Sequence, residues 1–195
     1  MRSSGIKRRS WRWGGWLVLV LALGAFFGCA KPEPTLVVTV GGLGFSQMYD
    51  LRVAVKEQCP EAKVVSAGMW DAYKSDIKKI ATEKPRQHII LIGHSLGCEA
   101  IDKAAEALPR VDLAVFIDPA WDDFRLSSTI GKCLWYQRST FALVRQARIA
   151  GAPPAKIIRG GHNDIPHSPD LIAEVVAAIK RVEASGGPGR TVAQK

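Results

Sequence analysis

From Thr35 onward the chain alternates two patterns. Short, nearly unbroken apolar runs recur: TLVVTV (Thr35 to Val40), AKVVSAG, HIILIG, VDLAVFID, CLWYQR and AKIIRG. Several are rich in β-branched residues, as expected of strands covered on both faces. Between the runs, apolar residues return every three or four positions. They are Met48, Leu51, Val55 and roughly Cys59 in SQMYDLRVAVKEQCP, which stops at Pro60, and Tyr73, Ile77 and Ile80 in DAYKSDIKKIATEK. SLGCEAIDKAAEALP also reads as a helix, as does SPDLIAEVVAAIKRVEA with Leu171, Val175, Ala178 and Val182 on one side. Strands alternating with helices predict parallel βαβ units. The expectation is an α/β domain over 35–184, with a mostly parallel sheet of about six strands and helices on both faces. In such sheets reactive residues gather at the carboxyl ends of the strands. A Gly-rich tail over 185–195 follows.

The length of 195 residues, 47% of them hydrophobic, suits one domain with a substantial core. The first thirty residues stand apart from it. Arg2, Lys7, Arg8, Arg9 and Arg12 precede the apolar run WLVLVLALGAFFG, and no acidic residue occurs before Glu33. That layout predicts export. Residues 1–28 read as a signal or membrane segment and 29–34 as a tether. The alternative is an uncleaved anchor, since Trp13 to Ala30 is an uncharged stretch of 18 residues, at the lower limit for spanning a bilayer. Either route leaves the domain outside the cytoplasm, because the positive residues stay inside.

The segment also corrects the charge. The net +9 includes five basic residues ahead of Cys29, so the rest of the chain carries only +4. No basic stripe with interleaved aromatics is present, and nucleic acid is not an expected partner. The four histidines lack metal-ligand spacing and there is no CxxC, so neither a metal nor a cofactor is expected. Beyond Cys29, three cysteines remain. One disulfide is permitted in an oxidising compartment, Cys59 with Cys133 being the preferred pairing, and buried free thiols are the alternative.

One stretch carries chemistry. In IILIGHSLGCEA the strand run breaks at Gly93, Ser95 follows, and helical residues begin after Gly97. The pattern G-x-S-x-G between a strand and a helix describes a tight turn that pushes a serine hydroxyl out at the sheet's edge. A hydroxyl needs a base to become a nucleophile. His162, in RGGHNDIPHSP just past the last strand, is the expected base. His167 is a competitor, and His94 and His88 are less suited, one lying inside the turn and the other opening its strand at the opposite edge. Asp118, ending VDLAVFID, is the expected acid, with Asp122 and Asp123 as alternatives; CLWYQRSTFALVRQARIAGAPP contains no carboxylate. An oxyanion formed at Ser95 needs two donors. The backbone N–H groups of Leu96 and of Leu43, in the Gly-rich VGGLGFSQ, are the candidates. That loop does not match a phosphate-binding spacing.

VVTVGGLG, IILIGHSLG, LAVFIDP and GGHNDIPHSP, in this order, resemble a small α/β-hydrolase over most of Thr35 to Ala184. FFGCA likewise resembles the lipobox at which bacterial lipoproteins are cleaved and acylated, here on Cys29. Together the resemblances imply a serine esterase or lipase-like enzyme, or a thioesterase, on the periplasmic face of a bacterial membrane. It would cleave a small-molecule or lipid acyl substrate through an acyl-serine. Gly41 stands where that family often has a histidine, and no large lid can be accommodated, so a shallow open pocket is expected. A monomer is expected. The competing expectation is a non-catalytic hydrolase-fold lipoprotein that binds an envelope partner.

Overall fold

The computed structural model describes residues 34–42, 48–68, 76–83, 86–140 and 145–185. The leader, Cys29, the tether up to residue 33, Leu43, Met69, Trp70 and the tail lie outside the described residues. Among those described, no helix is long and apolar enough to cross a membrane.

Six strands form one parallel sheet in the order β2-β1-β3-β4-β6-β8. They are β1 (Leu36–Val40), β2 (Lys63–Ala67), β3 (Ile89–His94), β4 (Leu113–Ile117), β6 (Cys133–Arg138) and β8 (Lys156–Ile158). Every residue of β1, β3 and β4 is buried, which accounts for their unbroken apolar runs. Helices α1 (Tyr49–Gln58) and α4 (Pro169–Ala184) cover one face. Helices α2 (Asp76–Thr82) and α3 (Gly97–Glu106) cover the other. The helical periodicity read from the sequence meets the sheet as expected: Met48, Leu51, Val55 and Cys59 are buried, as are Leu171, Val175, Ala178 and Val182. Ser168 caps α4 through its hydroxyl, which accepts from Leu171 N, with Pro169 at the first helical position.

The strand order reverses between β1 and β3. The carboxyl ends of these two neighbours therefore diverge into connections on opposite faces, where an open α/β sheet leaves a crevice. Ser95 follows β3 at that point.

Two features depart from expectation. Cys59, Cys98 and Cys133 are free thiols, so the preferred Cys59–Cys133 disulfide is not formed. Cys59 packs into the core on the α1/α4 face and Cys133 against the core on the other, so the sheet separates them. Burial pushes the Cys133 thiol up to about 12, with Asp102 adding to it. The second departure is a pair of two-residue parallel strands, β5 (Phe124–Arg125) and β7 (Ile149–Ala150), within the stretch after Asp118. Phe124 and Ile149 join the core on the α2/α3 face.

Asp102 of α3 holds this region down. Its Oδ1 accepts from Ser127 N at 2.9 Å, and the residue is only 4% exposed. Burial pushes its carboxyl up to about 6 against the Ser127 N–H, which lowers it, and Glu106 and Glu99 push it further up. A carboxyl more basic in the fold than in the unfolded chain costs stability as pH rises through the interval from about 4 to 6, and the full cost persists above it. Asp102→Asn keeps the acceptor oxygen without the charge. It is expected to stabilise the protein by about 1 to 2 kcal/mol at pH 7.5, allowing for solvent screening, and by nothing near pH 4. Urea unfolding at the two pH values checks both halves.

Candidate active site

The turn after β3 is as tight as its glycines require. A Cβ on Gly93 would lie 2.6 Å from Gly97 O, and one on Gly97 would lie 2.2 Å from Val40 O. The first turn of α3 is pressed against the end of β1, so neither position admits a side chain. Between them Ser95 has φ 57°, the left-handed region that a residue with a Cβ adopts at a cost. Ser95 N donates to Ile117 O at 3.0 Å, and Cys98 N donates to Ser95 O at 3.1 Å, which pins the strained residue on both sides. The buried Cys98 thiol donates to Gly93 O underneath, at 3.2 Å.

The loop after β8 brings His162 to this serine across 67 residues of chain, and Ser95 Oγ lies 2.9 Å from His162 Nε2. The loop is shaped by Asp164, whose Oδ2 accepts from Gly161 N at 2.9 Å, and is clamped by Thr140 Oγ1, which donates to Gly160 O at 2.8 Å. On the far side of the ring, His162 Nδ1 lies 2.5 Å from Asp118 Oδ2. Asp118 directly follows β4, has no exposure, and shares the positive φ of Ser95, at 44°.

The hydrogen-bond inventory assigns the protons. Asp118 Oδ2 also receives Arg138 Nη1 as an ion pair, and its Oδ1 accepts from Gln146 Nε2 at 3.1 Å and from Arg138 N at 3.4 Å. Arginine and amide nitrogens can only donate, so the carboxylate is an acceptor throughout. Nδ1 of His162 therefore carries the proton it donates to Asp118, and Nε2 is left as a lone pair that accepts from the Ser95 hydroxyl. Arg138 Nη1 stands 3.3 Å from Nδ1, two donors side by side on one oxygen. Burial pushes the Asp118 carboxyl up, but the hydrogen bonds from His162, Arg138 and Gln146 and the Arg138 charge outweigh it and hold it below its ordinary value.

His94 supports the same loop. It is fully buried, and its Nε2–H donates to His162 O at 2.9 Å. The two rings lie 4.8 Å apart at 33°. Burial, and then the neighbouring His162, push its imidazole down to about 4, so it stays neutral at working pH and holds the backbone of His162.

The other candidates lie elsewhere. His167 Nδ1 pairs with Asp50 Oδ2 at 2.7 Å on the surface. His88 is buried against Asp112 at the amino end of β3. Asp123, one of the alternative acids, is exposed and taken up by Arg145 Nη2 at 3.0 Å and Arg148 N at 2.8 Å. It is Asp118 that meets His162, not Asp122 or Asp123.

Leu96 stands at the head of α3, where backbone N–H groups have no partner within the helix. Leu43 lies outside the described residues. Gly42, just before it, comes so close that a Cβ there would sit 2.7 Å from Ser95 Cβ and 3.0 Å from Ser95 Oγ. The chain just past the end of β1 thus lies directly against the serine side chain.

No protein-family model matches this chain, and no curated protein does.

Arg138 and Gln146 are not among the residues that the sequence pattern nominates. Arg138 ends an apolar strand at the same sheet edge as Ser95 and Asp118. A strand-terminal cation in a stretch with no carboxylate was the available signal. Gln146 carried none, because its approach to Asp118 depends on the antiparallel bridge between Ala120 and Gln146.

Proposed function

We propose that this protein is an exported serine hydrolase of the α/β-hydrolase kind, tethered to a bacterial membrane through an acylated Cys29, that cleaves a carboxylic ester or thioester. Ser95 Oγ attacks the carbonyl carbon as its proton passes to His162 Nε2. The N–H groups of Leu96 and Leu43 hold the oxyanion. Collapse expels the alcohol or thiol, which takes the proton back from His162, and water then repeats the sequence on the acyl-serine. Asp118 remains ionised and balances the charge that the imidazole acquires.

The observation that carries this reading is the continuous relay of hydrogen bonds from Ser95 Oγ to His162 to Asp118, at 2.9 and 2.5 Å, starting from a serine held at φ 57°. Backbone strain at two of the three residues is what a functional constraint leaves behind. The basic leader, the apolar run and FFGCA support the tether.

A fluorophosphonate probe tests chemistry and location together. The wild-type protein is expected to label at Ser95 in the membrane fraction, and Ser95→Ala to remain unlabelled. Cys29→Ser is expected to move the labelled band into the soluble fraction. A folded wild type that does not label would leave the chain as an envelope binding protein.

A further inference from the structure

We propose that Arg138 is a positioning residue for this reaction: its guanidinium, buried at the end of β6, holds Asp118 as an acceptor aimed at His162 Nδ1 and thereby decides which imidazole nitrogen faces Ser95. The inference rests on the hydrolase reading.

A carboxylate with no exposure needs compensation for its lost hydration. Among the described residues, five elements supply what surrounds Asp118. Arg138 comes from β6 with a full positive charge, and His162 from the loop after β8 with one N–H. Gln146, ahead of β7, contributes a neutral amide. The neutral His94 at the end of β3 and the buried, protonated Cys98 thiol of α3 complete the surroundings. Among these Arg138 alone is a permanent cation. Without it, burial is opposed only by neutral donors, and Asp118 takes up a proton at a higher pH than in the wild type.

The consequence reaches Ser95 through hydrogen-bond logic. A protonated Asp118 can donate to Nδ1. The ring then carries its proton on Nε2, which points at Ser95 Oγ and can no longer accept from it. The Asp118 carboxylate serves the reaction only while it accepts, and Arg138 keeps it accepting. The ion pair also fixes direction, because Arg138 meets Asp118 with both a side-chain and a backbone nitrogen, one on each carboxylate oxygen.

The test compares Arg138→Gln and Arg138→Lys with the wild type in the full-length chain, following the rate of fluorophosphonate labelling from pH 5.5 to 9 and the 15N signals of His162. Arg138→Gln is expected to label at least about 100-fold more slowly at pH 6, with the deficit shrinking as pH rises, and to show at pH 6 a neutral imidazole with its single proton on Nε2, distinct from an imidazolium protonated on both nitrogens. Arg138→Lys, which retains the charge, is expected to restore the wild-type profile to within a few-fold and the proton to Nδ1. A deficit equal at every pH, or a tautomer that does not change, would reduce Arg138 to packing. Should Arg138→Gln fail to fold, the wild-type and Lys spectra still decide, since a neutral imidazole with its single proton on Nε2 in either, as distinct from an imidazolium that carries both protons, overturns the proposal. If the wild type does not label, the hydrolase reading fails, while the 15N spectra continue to judge Arg138 separately.

Discussion

His162→Ala is expected to slow hydrolysis of an activated ester by roughly 10⁴- to 10⁶-fold, with little change in stability. The effect follows from position. Nε2 lies 2.9 Å from Ser95 Oγ and supplies the contact through which the hydroxyl can lose its proton as it attacks. The side chain sits in a loop, is partly exposed, and contributes no apolar packing to either core cluster. In the proposed mechanism Ser95 and His162 act as a unit, so Ser95→Ala combined with His162→Ala should be no slower than the worse single variant. Steady-state turnover of a p-nitrophenyl ester, with the unfolding midpoint as control, measures this. Turnover within tenfold of wild type in His162→Ala would remove the general-base role.

Gly97→Ala is expected to have the largest effect on the fold, a loss of about 3 kcal/mol or more. The added Cβ would meet Val40 O at 2.2 Å, Val40 C at 2.8 Å and Gly41 O at 2.9 Å, all of them backbone atoms, at the end of a central strand and the residue after it, that cannot rotate away as a side chain can. To relieve the clash α3 must lift from β1, which also pulls Ser95 away from Gly42. A small domain has about 5 to 15 kcal/mol in total, so the variant should unfold at a visibly lower denaturant concentration and lose labelling at temperatures where the wild type keeps it. Guanidinium unfolding checks the first and probe labelling the second. An unchanged midpoint would mean that the contact between α3 and β1 is looser than described.

Local pattern alone carried the architecture. Unbroken apolar runs, and apolar residues that return every three to four positions, depend on side chains and their immediate neighbours, so β1, β3, β4, α1 and α4 could be placed, with their buried faces, before any contact was known. The same holds for the turn at Ser95, because Gly93 and Gly97 answer steric demands within five residues. Ser95, His162 and Asp118 could be nominated as a set because each lies at or just past the carboxyl end of a predicted strand, and parallel strands end at one edge. What pattern could not supply was distance. The preference for His162 over His167, and for Asp118 over Asp123, could be read from the strand ends, but the separation of the other two from the serine follows only from where loops run in space, where Asp50 and Arg145 take them up.

Three findings came from the tertiary structure alone. Cys59 and Cys133 remain thiols because the sheet stands between them, and spacing in sequence carries no information about faces of different strands. The pair β5 and β7 rests on two residues apiece, too few for any periodicity to register. Arg138 reads in sequence as an ordinary strand-end cation, and becomes part of the site only when β6 is laid beside β4 with Ile117 opposite Tyr136. That register places its guanidinium against Asp118. A strand's residues determine that it pairs; the packing of the whole domain determines with which neighbour and in what register, and long-range electrostatic partners follow from that choice.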